Sequence, residues 1–258
     1  MIPIRSPAEI DCIRAACTIV HSVQIALEAA VAPGVSTQRL DELAEATIRD
    51  QGGIPAFKGY HDFPANICAS VNAEAVHGFP RAEPLRDGDV VCVDVGVKLD
   101  GWFGDAAFTI CVGHLTEEVR QLLATTRAAL DAGIDAAVAG GRLTDISHAV
   151  ELAAIAGGAS VIREYGGHGI GRDLHEDPHI LNYGPAGRGP HLKVGHVLAI
   201  EPILSLGSPD VEVAADGWTT ITTDGSLAAH FEHTVALTAD GPSILTLPAG
   251  QPAVGAPV

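Results

Sequence analysis

Five ionisable residues stand where a lone charge would be costly. Asp94 lies inside Val90-Val91-Cys92-Val93-Asp94-Val95, Asp105 follows the Asp100-Gly101 pair, His168 sits in Gly166-Gly167-His168-Gly169, Glu201 ends the run Val197-Leu198-Ala199-Ile200, and Glu232 lies in Phe231-Glu232-His233-Thr234. A carboxylate in an apolar strand has to be paired or bound to a metal, because desolvating an isolated charge is expensive. Strands joined antiparallel at Asp100-Gly101 would set Asp94 and Asp105 opposite each other or within one residue of it. Like charges that close push one group to protonate, whereas a divalent cation between them supplies positive charge to oxygen donors. Two Asp, two Glu and one His carry about four negative charges, the balance for two divalent cations that share a water and lower its pKa. That is hydrolytic chemistry of the two-metal kind.

His168 is flanked by Gly166, Gly167 and Gly169, with Gly171 beyond, so the backbone there can approach an ion or substrate closely. His175 follows, and His77 lies in the comparable setting Val76-His77-Gly78-Phe79-Pro80. No His-Glu-x-x-His, paired Cys-x-x-Cys, Gly-x-Ser-x-Gly or P-loop is present, which sets aside the common zinc, serine-hydrolase and nucleotide motifs.

The elements that must hold these residues are legible from capping and periodicity. Ser6-Pro7-Ala8-Glu9 is a capping box with proline at the first helical position, and Ile10, Ile13, Cys17, Val20 and Leu27 mark one buried helical face that stops at Pro33-Gly34. A second helix is expected from about Thr37 to Gly52-Gly53. Asn66 to Asn72, Val90 to Val97 and Trp102 to Val112 read as strands, the last two joined at Asp100-Gly101. Thr116 and Thr144 are expected to cap two further helices, the second ending at Gly157-Gly158, and short strands follow from Ser160 to about Leu247. Helix, helix, strands thus occurs twice, and Val31-Ala32-Pro33-Gly34-x-x-Thr37 matches Val138-Ala139-Gly140-Gly141-x-x-Thr144, an expectation of two related halves with a site between them. A single catalytic domain over residues 1–247 is expected, followed by a flexible Pro/Gly/Ala-rich tail, 248–258.

Fifteen Lys and Arg against 32 Asp and Glu give a net charge of −17, which leaves no basic stripe for nucleic acid or an anionic membrane. No uncharged apolar run approaches the ~18 residues of a membrane span, and the N-terminus carries no signal-peptide pattern. Five cysteines, odd in number and mostly inside apolar runs, read as buried thiols of a reducing compartment. A cytoplasmic, soluble protein is expected.

The motifs jointly resemble the type I methionine aminopeptidases, a branch of the M24 metallopeptidases. The resemblance runs from Ser6 to about Leu247 and rests on Asn66-Ile67-Cys68-Ala69-Ser70-Val71-Asn72 leading to His77-Gly78-Phe79-Pro80, on Asp94-Val95-Gly96 and Gly104-Asp105, on Gly166-Gly167-His168-Gly169-Ile170-Gly171, on Ile200-Glu201-Pro202, and on Asp216-Gly217-Trp218 followed by Glu232-His233-Thr234. It implies an α+β, pita-bread fold in which a pseudo-twofold antiparallel sheet is flanked by helices. It also implies removal of the initiator methionine from nascent polypeptides with small second residues, near the ribosome, by a monomer. The implied metal ligands are Asp94, Asp105, His168, Glu201 and Glu232, holding two divalent ions (cobalt, manganese, iron or zinc), with Asp105 and Glu232 bridging both. His77 and His175 would contact the substrate, His175 stabilising the oxyanion, while Glu201 accepts the proton of the attacking water. Tyr60, His61, Cys68 and Trp218 match the family's methionine pocket, whose aromatic faces and thiol suit a thioether.

Two positions depart from the family pattern: Leu174 stands where Phe is usual, and Phe57 lies near where a small residue or Cys is common, so the pocket is expected to be reshaped. The start of the chain close to the first helix resembles the short bacterial form, and Ile2 is too bulky for such an enzyme to expose its own Met1 for removal. Two alternatives share the fold: a proline-specific aminopeptidase or prolidase, and a metal-free binding protein, which predicts a lost ligand and a basic surface.

Overall fold

The capping box forms as expected: the Ser6 backbone N–H donates to the Glu9 carboxylate at 2.9 Å, and the Glu9 N–H returns to the Ser6 hydroxyl at 3.4 Å. It opens helix α1, Pro7–Ala30, followed by α2, Thr37–Asp50, with Ser36 as its cap. The computed structural model describes residues 1–247, so the tail expected at 248–258 lies outside the described residues. Along α1 the residues Ile13, Ala16, Cys17, Val20, Val23 and Leu27 are fully buried against the strands. By length and composition α1 could cross a bilayer, yet half of its most apolar window is buried inside the protein, as in a core helix.

The first half continues through β1 (Ile54–Pro55), β2 (Cys68–Val71), β3 (Glu74–Val76), β4 (Val90–Leu99) and β5 (Trp102–Cys111). Strand β4 is central, pairing antiparallel with β1, β2 and β5. The second half repeats the plan: α3 (Glu117–Ala136) and α4 (Leu143–Ala156) precede β6 (Ser160–Val161), β7 (Gly166–Gly169), β8 (Glu176–Leu181), β9 (Val197–Ile200), β10 (Ile203–Ser205), β11 (Val211–Val213), β12 (Thr220–Thr222), β13 (Ala228–His230), β14 (His233–Thr238) and β15 (Gly241–Ile244). Its main sheet runs β15-β14-β9-β7-β8, all antiparallel.

Hydrogen bonds make the relation between the halves explicit. The Thr37 hydroxyl accepts from the Arg81 N–H at 2.8 Å and donates to the Arg81 carbonyl at 3.3 Å; the Thr144 hydroxyl does the same with Arg188, at 2.9 and 3.2 Å. Each pair spans 44 residues, which is what a duplicated helix pair and its return strand would leave. Thr144 is therefore not the cap expected of it. Helix α4 begins earlier, because Asp145 already satisfies the Arg142 N–H at 2.7 Å and frees Thr144 to tie the helix to the 188 segment. Thr37→Val should destabilise the protein by ~1–3 kcal/mol in urea denaturation, since it strands the part-buried Arg81 N–H. A loss below about 0.5 kcal/mol would show that water replaces the hydroxyl.

The halves join where β5 meets the segment 230–234. Glu232 N–H donates to the Ala107 carbonyl at 2.9 Å, the Thr234 hydroxyl brackets Asp105 (accepting from its N–H at 3.2 Å, donating to its carbonyl at 2.8 Å), and Thr109 does likewise for His230. These bonds fix Asp105 beside Glu232.

Candidate metal centre

At the seam of the two halves lies a cavity of about 630 Å³. Asp94, Asp105, His168, Glu201 and Glu232 all line it, as do Tyr60, His61, Cys68, His77, His175 and Trp218. Asp94 projects from the middle of β4 and Asp105 from β5, but the register differs from the expectation: Asp94 pairs with Ala107 and Asp105 with Gly96. The two-residue turn at Asp100-Gly101 pairs Leu99 with Trp102 and fixes every later pair, leaving the two carboxyls diagonal to one another. Both still face one side, because positions two apart on a strand share a face.

Side chains of Asp105, His168 and Glu232 bring their donor atoms within 4.8 Å of one another, and all three are buried. Asp94 lines the same cavity, two positions from Asp105's partner on the neighbouring strand. Glu201, just past β9, places Oε1 at 3.5 Å from His168 Nε2. His168 Nδ1 donates to the Gly169 carbonyl at 2.9 Å, which leaves the lone pair of Nε2 facing the carboxylates. Among the described residues, Oδ1 of Asp94, Oδ1 of Asp105 and Oε1 of Glu232 are buried without a hydrogen-bond partner, and no Lys or Arg lines the cavity. Oxygen donors crowded around one bare imidazole nitrogen, with no protein cation to balance them, fit divalent metal.

The glycines around His168 have a cause other than the one expected. A Cβ on Gly166 would strike the Ile180 carbonyl, on Gly167 the Ala199 carbonyl, and on Gly169 the Asp177 carbonyl. Neighbouring strands, not an ion or substrate, require these glycines.

Burial lifts Asp94 to about 7 and pushes Asp105, Glu201 and Glu232 well above the carboxylate range, the last three also repelled by their neighbours. The folded protein free of metal then holds these protons more tightly than the unfolded chain does. Their stabilisation is full below the ordinary carboxylate range and is lost as pH rises through about 7 for Asp94. The melting temperature of metal-free protein should fall between about pH 5 and pH 8, and saturating manganese should raise it more at the upper end, because ligands bind deprotonated. Scanning fluorimetry at both pH values checks this; a larger rise at the lower pH contradicts it.

Beside the charged cluster is an aromatic pocket. Phe63 packs edge-on against Trp218 at 5.2 Å and against Phe79 at 5.3 Å, and Cys68 and Leu174 are buried in the same cluster. Asp216 holds the Trp218 loop by accepting both the Trp218 and Thr219 N–H at 2.9 Å, and pairing of β12 with β3 sets Trp218 at 6.2 Å from His77. His77 itself adopts φ 60°, a left-handed conformation costly for a residue with a Cβ. Phe57 fills the space left by Gly96, where a Cβ would lie 2.5 Å from its ring, and leans on Phe63 at 6.4 Å. The two departures thus become one packed wall: Phe57 and Leu174 both line the cavity.

His175, exposed on the loop after β7, accepts or donates at Nδ1 with the Tyr60 hydroxyl at 2.8 Å and stacks 4.3 Å from the His168 ring. Desolvation by the protein around its ring holds His175 below its usual value, and burial brings His77 down to about 4, so both are neutral near pH 7. Sequence patterns missed Phe63, Tyr165 and His230, all of which line the cavity. Tyr165 stacks edge-on to His77 at 5.1 Å; His230 is 2% exposed and sits 3.6 Å from Glu201 Oε2. His230 carries the signal that found Glu201, a polar residue ending an apolar run, here Leu227-Ala228-Ala229.

Residues 11–239 match metallopeptidase family M24. Over 254 residues, 96% of each chain, the sequence is 52% identical to a protein from Mycobacterium tuberculosis named methionine aminopeptidase 1. The fold superposes on the crystal structure of methionine aminopeptidase from Rickettsia prowazekii with a TM-score of 0.94 at 40% identity, covering 96% of this chain and 100% of that one. It is also similar to a prolidase from Pyrococcus furiosus, with a TM-score of 0.77 at 23% identity over 94% of this chain and 65% of that one, a likeness of fold alone.

Proposed function

The chain belongs to the methionine aminopeptidases of metallopeptidase family M24, and on that premise we propose how its cavity removes the initiator methionine from polypeptides whose second residue is small. The observation that carries the reading is the cluster of unpartnered carboxyl oxygens around His168 beside an aromatic pocket. We infer that Asp94, Asp105, His168, Glu201 and Glu232 would hold two divalent ions, of cobalt, manganese, iron or zinc. When bound, such ions lower the pKa of water, polarise the scissile carbonyl and anchor the free α-amine.

The chain's own residues do the rest. The methionine side chain enters between Tyr60, Cys68, Phe63 and Trp218, where polarisable rings and a thiol match a thioether. Glu201 takes the proton of the attacking water on a carboxylate oxygen and delivers it to the departing amine. His175 is neutral; with Tyr60 donating to Nδ1, its proton rests on Nε2, ready to donate to the developing oxyanion. His77, pinned between Tyr165 and Trp218, contacts the peptide beyond the scissile bond. All of this lies within residues 1–247, which supports one catalytic domain. The five free thiols suit the reducing cytoplasm, and with the likeness to methionine aminopeptidases this reading has the protein act there as a monomer on nascent chains near the ribosome.

Metal-loaded protein should release methionine from Met-Ala-Ser and leave Ala-Pro-Ala intact. Cleavage of Ala-Pro-Ala alone would move the protein to the proline-specific branch, which nothing in its pocket favours. A metal-free binding protein of this fold is not favoured either, since all five ligand positions are filled by donors.

A further inference from the structure

His175 must present its Nε2 to an oxyanion from a loop, residues 170–175, that has no helix or strand of its own. A donor misplaced by about 1 Å can lose a hundredfold in rate, so something has to hold that loop. Leu174, 1% exposed, plugs it into the aromatic cluster on one side. On the other side stands Glu176, whose Oε1 accepts the backbone N–H of Arg172 at 2.7 Å and of Asp173 at 3.2 Å, closing the loop on itself.

The Glu176 carboxylate, 10% exposed, needs a cation, and Arg5 is that cation. Arg5 Nη2 donates to Oε1 at 2.6 Å and also to Oε2. The guanidinium lies flat on the loop where Gly171 has no side chain, since a Cβ there would fall 2.6 Å from Arg5 Nη2. Arg5 and Arg172 both lean on the Trp102 ring, at 5.4 and 3.7 Å from its centre, and Arg5 N–H donates to the Gly195 carbonyl at 2.7 Å. Arg5 precedes α1 of the first half, whereas Glu176, His175 and Gly195 belong to the second. It does not line the cavity.

We propose that Arg5 is a positioning residue for catalysis: the segment before the first helix straps down Glu176, and Glu176 in turn sets the loop that aims His175 at the scissile carbonyl. This rests on the reading of His175 as the oxyanion donor. Arg5 touches neither substrate nor metal, so its influence falls on the rate of the chemical step.

Steady-state hydrolysis of Met-Ala-Ser at saturating manganese tests it with Arg5→Ala, Arg5→Lys, His175→Ala and the Arg5→Ala/His175→Ala pair. Arg5→Ala should lower kcat about tenfold and leave KM within about twofold. Once His175 is gone, the same change should lower kcat by less than about twofold, because the strap has nothing left to aim. Arg5→Lys, which keeps one charged nitrogen for both carboxylate oxygens, should recover kcat to within about threefold of the parent. A full tenfold loss from Arg5→Ala on the His175→Ala background would overturn the proposal while leaving His175 as the donor. Undiminished kcat in His175→Ala would overturn the reading of His175 instead. Amide exchange separates the two failures: faster exchange at Arg172 and Asp173 in Arg5→Ala supports the strap, and unchanged exchange overturns it.

Discussion

Asp105→Asn is expected to fold as the parent does and to release methionine at no more than about a thousandth of its rate, several kcal/mol of lost transition-state stabilisation. The substitution changes one atom and little volume, and the backbone of Asp105 stays bracketed by Thr234. What it removes is a charge from the buried group formed with His168 and Glu232. An amide at this position is neutral at every pH, as the raised Asp105 carboxyl is without metal, so metal-free Asp105→Asn should melt at or above the metal-free parent near pH 7. Loss of activity joined to undiminished stability separates a ligand from a structural residue. Activity within about fivefold of the parent would remove Asp105 from the metal set.

His175→Ala should fail differently. A single oxyanion donor is worth about a hundredfold to a thousandfold, and kcat should fall by that much while KM for Met-Ala-Ser moves little. The His175 ring stacks 4.3 Å from that of His168, close enough to be mistaken for a ligand, yet its Nδ1 is engaged by Tyr60. The manganese titration midpoint should therefore stay within about threefold of the parent. A midpoint shifted tenfold or more, with kcat at saturation restored, would make His175 a ligand and not a donor. Tyr60→Phe should reproduce part of the loss, since it frees the tautomer that the hydroxyl selects.

The chemistry of this cavity was legible because it breaks the rule that apolar runs bury no charge. Asp94, Glu201 and Glu232 each interrupt or end such a run, and each lines the cavity. Helix starts were legible for the same reason that they exist, since Ser6 with Glu9 and Thr116 before Glu117 offer oxygens to free N–H groups. The faint match between the 31–37 and 138–144 segments was also informative: it marks the threonines that hold Arg81 and Arg188 in the two halves. Three-dimensional closeness was not legible. A hairpin turn can be seen in Asp100-Gly101, but the diagonal register follows from which residues close it. The glycines of β7 serve carbonyls of β8 and β9 that arrive from later in the chain. Phe63 and Tyr165 carry no local pattern, since an aromatic residue in a loop looks alike whether it lines a cavity or not. Arg5 was invisible for a further reason, because its partner lies 171 residues away.

Anomalous diffraction from crystals equilibrated with manganese tests the central claim most directly. Two peaks are expected at the seam of the halves, among Asp94, Asp105, His168, Glu201 and Glu232, with Asp105 and Glu232 touching both. A single peak would reduce the centre to one ion, and peaks elsewhere with none at the seam would contradict the account.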